Sequence, residues 1–184
     1  MAKNYTTDII HELERSAQQI KTSDLDEIVH AIQTAHHIFL AGAGRSGLAI
    51  RAFGNRLLHL GYQISIVGEI SSPHSASGDL LILCSGSGET DSLKSLAKKA
   101  KTAGLQLALL TTKAHSTIAQ WADILVCLPG KSKSEQNTTM GFSQPMGSEF
   151  EQLAFLTFDG IVMDLMDVTG ETSESMLARH ADFE

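Results

Sequence analysis

Five short apolar runs constrain this chain more than any other feature. They are HIFLA at 37–41, QISIV at 63–67, DLLILC at 79–84, LQLALL at 105–110 and DILVCL at 123–128. They are near-continuous rather than strictly alternating, the pattern of strands covered on both faces. Helical patterns separate them at Arg45–Leu60, Thr90–Ala103 and, more briefly, Ser116–Trp121. Short buried strands alternating with helices predict an α/β three-layer sandwich around a five-stranded parallel sheet. Two helices are expected before the first strand. Thr7–Lys21 carries an apolar stripe at Ile9, Ile10, Leu13, Ala17 and Ile20, and the second helix starts at Ser23 as its N-cap. After the fifth strand a polar stretch at 129–143 reads as a loop or lid. A long apolar helix from Pro145 to Val168 and a short one from Gly170 to His180 close the chain. The 184 residues suit one domain: N-terminal helices at 1–35, a sheet core at 36–128 and C-terminal helices at 144–184.

The first strand runs into Gly42-Ala43-Gly44-Arg45-Ser46-Gly47, which matches the dinucleotide-binding pattern G-x-G-x-x-G. Glu69, about 20 residues on, stands where an acid holds a ribose hydroxyl, so NAD is one ligand the loop suits. A second loop changes that balance. Ser85-Gly86-Ser87-Gly88-Glu89-Thr90 follows the third strand and precedes a helix, placing three hydroxyls within six residues at a helix start. If the strand order is 2-1-3-4-5, strands one and three are neighbours at the switch point and both loops face one crevice. A compact cradle of hydroxyls and amides suits a single phosphate better than an extended dinucleotide. Gly44, Arg45, Ser46, Ser85, Gly86, Ser87, Gly88 and Thr90 are the candidate phosphate-binding residues.

The last long helix opens with QPMGSEFEQ at 144–152. Glu149 and Glu151 are about 200° apart on a helix. Glu151 shares a face with Phe155, Phe158 and Val162, and a carboxylate on an apolar stripe is paired, protonated or at work. Glu151 is therefore the candidate general base, and Glu149 reads as a rim residue. His59 and His180 are candidate accessory acid/base groups.

Composition excludes several classes. Net charge is −7, from 14 basic and 21 acidic residues, which disfavours nucleic acid and anionic membrane as partners. Cys84 and Cys127 fall inside predicted strands and read as core residues, not a disulfide. The eight histidines show no metal-ligand spacing. The polar opening MAKNYTTDIIHELERS lacks a signal-peptide apolar region, and no run is long enough to span a membrane, so a cytoplasmic protein is expected.

GAGRSG, SGSGET, QPMGSEFEQ and the terminal RHADFE together resemble the sugar isomerase (SIS) domain family, and within it the hexulose-phosphate isomerase branch. The resemblance implies the flavodoxin-like SIS fold, usually tetrameric, with no cofactor and no metal. It implies interconversion of 3-hexulose 6-phosphate and fructose 6-phosphate through an enediol. In that pathway of formaldehyde fixation a hexulose-phosphate synthase acts as upstream partner. Carried over by motif, Ser46, Ser85, Ser87 and Thr90 would hold the phosphate and Glu151 would be the base. His59 and His180 would assist, one of them reaching in from another subunit. The alternatives are another phosphosugar isomerase, such as one acting on arabinose 5-phosphate, or a non-catalytic phosphosugar-binding module.

Overall fold

The computed structural model describes residues 3–131 and 144–182. Two helices come first, α1 (Tyr5–Ala17) and α2 (Thr22–Thr34). The sheet strands are β1 (Ile38–Gly42), β2 (Ile64–Ile66), β3 (Leu80–Cys84), β4 (Gln106–Thr111) and β5 (Ile124–Cys127). Between and after them lie α3 (Gly44–His59), α4 (Asp91–Ala103), α5 (Ser148–Thr169) and α6 (Ser173–Leu177). All four strand pairs are parallel, in the order β2-β1-β3-β4-β5. This is the expected α/β sandwich.

β1, β3, β4 and β5 each feed two cores. Ile38 and Leu40 of β1, with Ile82 and Leu110, point to the side covered by α2, α3 and α5. Phe39, Leu81, Leu83 and Leu109 point to the side covered by α4. That two-sided burial explains why the runs read as continuous. The thicker side is sealed by Phe53 of α3 stacked on Phe158 of α5, ring centroids 4.5 Å apart.

Glycine shapes the β1–α3 turn. Gly44 has φ +57, in the left-handed region. A Cβ on Gly47 would stand 2.8 Å from the Gly42 carbonyl oxygen, so α3 starts against the end of β1 only without a side chain there.

Several boundaries differ from expectation. Helix α2 begins at Thr22 with Lys21 as N-cap, and Ser23 lies inside its first turn with its hydroxyl on Asp24. Helix α5 begins at Ser148, not Pro145, because Met146 (φ +56) and Gly147 (φ +79) are left-handed and break the helical path. The predicted helix at 116–121 is a series of hydrogen-bonded turns. There the Thr117 amide and hydroxyl donate to Glu89 (2.6 and 2.9 Å), which draws the segment onto the loop after β3. Cys127 is half-buried rather than core. Of the predicted loop at 129–143, residues 132–143 lie outside the described residues.

Gly47→Ala is expected to destabilise the fold by about 1–3 kcal/mol, the usual cost of overpacking against backbone. Urea unfolding measures this, and an unchanged midpoint would show that the turn tolerates a Cβ.

Candidate active site

Strands β1 and β3 are paired along their length, ending side by side at Gly42 and Cys84. The loops leaving them therefore open on one crevice at the carboxyl edge of the sheet. The crevice is a cavity of about 330 Å³, lined by Gly44 and Ser46 from one loop and Ser85, Gly86, Ser87 and Thr90 from the other. Its far wall is Gly147, Phe150 and Glu151 at the start of α5.

The hydroxyls are set for an anion. Ser85 Oγ accepts the Gly88 amide (3.2 Å) and Ser87 Oγ accepts the Glu89 amide (3.2 Å). A hydroxyl that accepts from backbone still has its own proton to donate. Thr90 is the N-cap of α4 but makes no side-chain cap bond, and the positive end of the α4 dipole faces the same space. Across the cavity, the Glu151 side chain is 5% exposed and its Oε2 lies 2.9 Å from Arg45 Nε. A polar anion cradle and a buried carboxylate thus share one small cavity.

The SIS domain model matches residues 31–153, a span from α2 through the first turn of α5. The chain belongs to the SIS domain family. The chain is 43% identical to a Bacillus subtilis protein named 3-hexulose-6-phosphate isomerase over 98% of its own length and 97% of that protein. A Methylomonas aminofaciens protein of the same name is 40% identical over 86% and 87% of the two chains. A crystal structure from Methanococcus jannaschii, described as inferring a 3-hexulose-6-phosphate isomerase function, superposes with TM-score 0.82 at 30% identity. That match covers 97% of this chain and 96% of the other.

Not every residue singled out from sequence joins this SIS cavity. Gly88 sits behind it with φ +61, its amide donating to Ser85 O and Oγ, and a Cβ there would fall 1.9 Å from Ser116 Oγ. Its part is to let the loop close on Ser116. Arg45 faces Glu151 and an apolar groove on the outer side, not the cavity. Glu149 turns the other way, accepting from Ser16 Oγ of α1, so it ties two helices together rather than standing at a rim. Glu69 pairs with Arg51 at 2.9 Å on the surface, not with the crevice.

His59 and His180 do not reach Glu151 within the chain. Thirteen helical residues separate Ser46 from His59, about 20 Å along the α3 axis. There His59 stacks with His180, centroids 5.1 Å apart, in a separate pocket with Arg56, Met166 and Met176. The buried position of His59 and its C-terminal place on α3 follow from the helix length, which the sequence displays; the consequence for the site needed the fold.

Among the lining residues that the sequence analysis did not single out, Lys131 and Cys84 carry chemistry of their own. Lys131 reaches the cavity from just beyond β5. The signal was present, since a basic residue following a parallel strand lies at the same carboxyl edge as the glycine loops. Cys84 forms part of the cavity wall. Burial raises its thiol from the usual 9.0 to about 12; a hydrogen bond with Ser46 opposes this and the Glu151 charge adds to it. The stability tied to its neutral burial is therefore intact at neutral pH and is lost as pH rises above 9 toward 12. Alkylation at pH 8 is expected to label Cys127 in the native protein and Cys84 only after unfolding. Native labelling of Cys84 at the unfolded rate would contradict its burial.

Proposed function

We propose that this chain is an isomerase that interconverts 3-hexulose 6-phosphate and fructose 6-phosphate. One observation carries this reading: the buried Glu151 carboxylate and the Ser46, Ser85, Ser87 and Thr90 hydroxyls line one cavity sized for a single phosphosugar. Relatives at 43% and 40% identity that bear the name 3-hexulose-6-phosphate isomerase support it.

In the proposed mechanism the phosphate sits among the Ser85–Thr90 loop, Ser46 and the α4 N-terminus. That anchorage spends remote binding energy on orienting the open sugar chain. Glu151 takes the proton from C2 of the 3-hexulose, whose carbonyl is at C3. The electron pair left on C2 forms the C2=C3 bond of an enediolate, and negative charge passes to O3. Glu151 then returns the proton to C3 while the O2 proton passes to O3, which leaves O2 as the carbonyl oxygen and O3 as a hydroxyl. Atoms and charge balance without a redox partner. Lys131 lies on the cavity wall, where a cation stabilises charge developing on oxygen.

The described residues expose Leu48, Phe155, Leu156 and Met163 on α3 and α5, apolar area that a second copy would cover. A homotetramer is proposed on this surface and the family resemblance. In it His59 or His180 serves the Glu151 cavity of a neighbouring copy. No helix among the described residues is long and apolar enough to cross a membrane. A cytoplasmic location, a place in formaldehyde fixation and a synthase partner acting upstream complete the proposal.

Glu151→Gln is expected to keep phosphosugar binding and to lose about 10²–10⁴-fold in turnover, the usual contribution of a positioned base. Ser85→Ala is expected to raise KM by about 10–100-fold, the loss of a hydrogen bond to a charged group. A coupled assay of fructose 6-phosphate formation reads both. Normal turnover in Glu151→Gln would remove the base assignment. Activity on arabinose 5-phosphate alone would move the substrate to the pentose class. Binding of fructose 6-phosphate with no turnover of any phosphosugar would favour a sensing module. Thermal stabilisation by NAD(H) but not by fructose 6-phosphate would favour the dinucleotide.

A further inference from the structure

Arg45 stands one residue before Ser46 in the loop expected to bind phosphate, yet its side chain turns away from the cavity. Its Nε donates to Glu151 Oε2 at 2.9 Å, and its Nη1 lies 3.5 Å from Ser148 Oγ. Both partners are in the first turn of α5. The Arg45 side chain is 57% exposed and borders an open apolar groove of about 510 Å³ formed with Ile9, Leu13, Leu48, Phe155 and Leu156.

The first turn of α5 is held elsewhere by Phe150, buried in the core, and by Glu149, which accepts from Ser16 Oγ. That first turn follows the left-handed Met146–Gly147 turn and has no side-chain N-cap. Its entry hangs on the Ser148 amide bond to Pro145 O (3.0 Å) and the Glu151 amide bond to Gly147 O (3.2 Å). A general base must hold its carboxylate within a fraction of an ångström of the reacting carbon. A buried carboxylate also needs a charge partner to remain in place.

We infer that Arg45 is a positioning residue for Glu151 rather than a ligand of the substrate phosphate: it reaches around the start of α5 from outside and fixes the plane of the carboxylate. This rests on the isomerase reading above. The side-on contact through Nε fixes orientation as well as charge, which an ammonium in the same place does not reproduce. Because Arg45 and Ser46 are consecutive, the first turn of α3 holds the base and the phosphate at a set separation.

The test is steady-state kinetics on wild type, Arg45→Met, Glu151→Gln and the double variant, with melting curves for each. Arg45→Met is expected to lower kcat about 10–100-fold and to leave KM within about threefold, the pattern of lost orientation rather than lost binding. Added guanidinium ion at low millimolar concentration is expected to restore part of kcat. In the Glu151→Gln background the same change is expected to cost less than about twofold more, because Arg45 acts only through Glu151. A raised KM with kcat intact would instead make Arg45 a substrate ligand. Full additivity of the two losses, or unaltered turnover in Arg45→Met, would also overturn the inference. If Arg45→Met does not fold, Arg45→Lys takes its place: reduced kcat at constant KM supports the role, and wild-type kcat overturns it. A wild-type protein that isomerises no phosphosugar overturns the function and this role together, whereas an active wild type confines any failure to Arg45.

Discussion

The side-by-side pairing of β1 with β3 is the constraint on which the site depends. Their register runs in step from Ile38 beside Leu80 to Gly42 beside Cys84. Both strands therefore stop at the same height, and both following loops emerge at the same edge. Insert β2 between them and the two glycine loops separate by two strand spacings, about 10 Å. One phosphate would then no longer touch both. The Gly42–Gly47 approach adds to this by starting α3 hard against the end of β1, which brings Ser46 down to the level of Cys84 and Ser85.

Helix α5 supplies what the sheet cannot. The carboxyl edge of a parallel sheet offers amides, hydroxyls and helix dipoles, all suited to holding an anion. A carboxylate belongs there only if it is brought in from outside and kept from repelling the ligand. Glu151 arrives on a helix that crosses from the thick side of the sandwich, with Phe158, two turns on, stacked on Phe53. That stack and the Arg45 contact are widely spaced restraints on the same two helices, α3 and α5. Helix packing locates Glu151, the proposed base, and a hydrogen-bonded ion pair with Arg45 holds its carboxylate.

Much of this was legible in the chain itself, and the limits were physical. Two-sided burial writes itself into a sequence as unbroken apolar runs, so the strands and the fold class were readable. The SGSGET loop was readable because hydroxyls and glycines between a strand and a helix have few other uses. Glu151 was readable as a carboxylate on an apolar face. What escaped depends on side-chain direction at places where backbone periodicity stops. Arg45 lies in the first turn of α3 among residues that all look like ligands, and only the left-handed Gly44 and the start of α5 decide that it faces outward. Glu149 and Glu151 differ by half a helical turn, but Ser16, which claims Glu149, lies 133 residues away. Lys131 is one basic residue in a polar stretch until the strand order places its strand end beside the others. The histidines show a different limit: residue types suited to proton transfer are informative only once the length of α3 is laid out in space.

The charge balance of the whole molecule also acquires a purpose at this site. A chain of net charge −7 does not attract a phosphosugar by its overall field, and it adds a buried carboxylate beside the anion cradle. In the proposed complex affinity comes from short-range donors: the protons that Ser85 and Ser87 keep while their oxygens accept backbone amides, the α4 N-terminus and Lys131. Arg45 neutralises Glu151 from the far side, where it reduces repulsion between base and phosphate without competing for the ligand. The proposed separation of roles, donors at the sheet edge and arginine behind the base, would let one small cavity hold a dianion while a second anion works beside it.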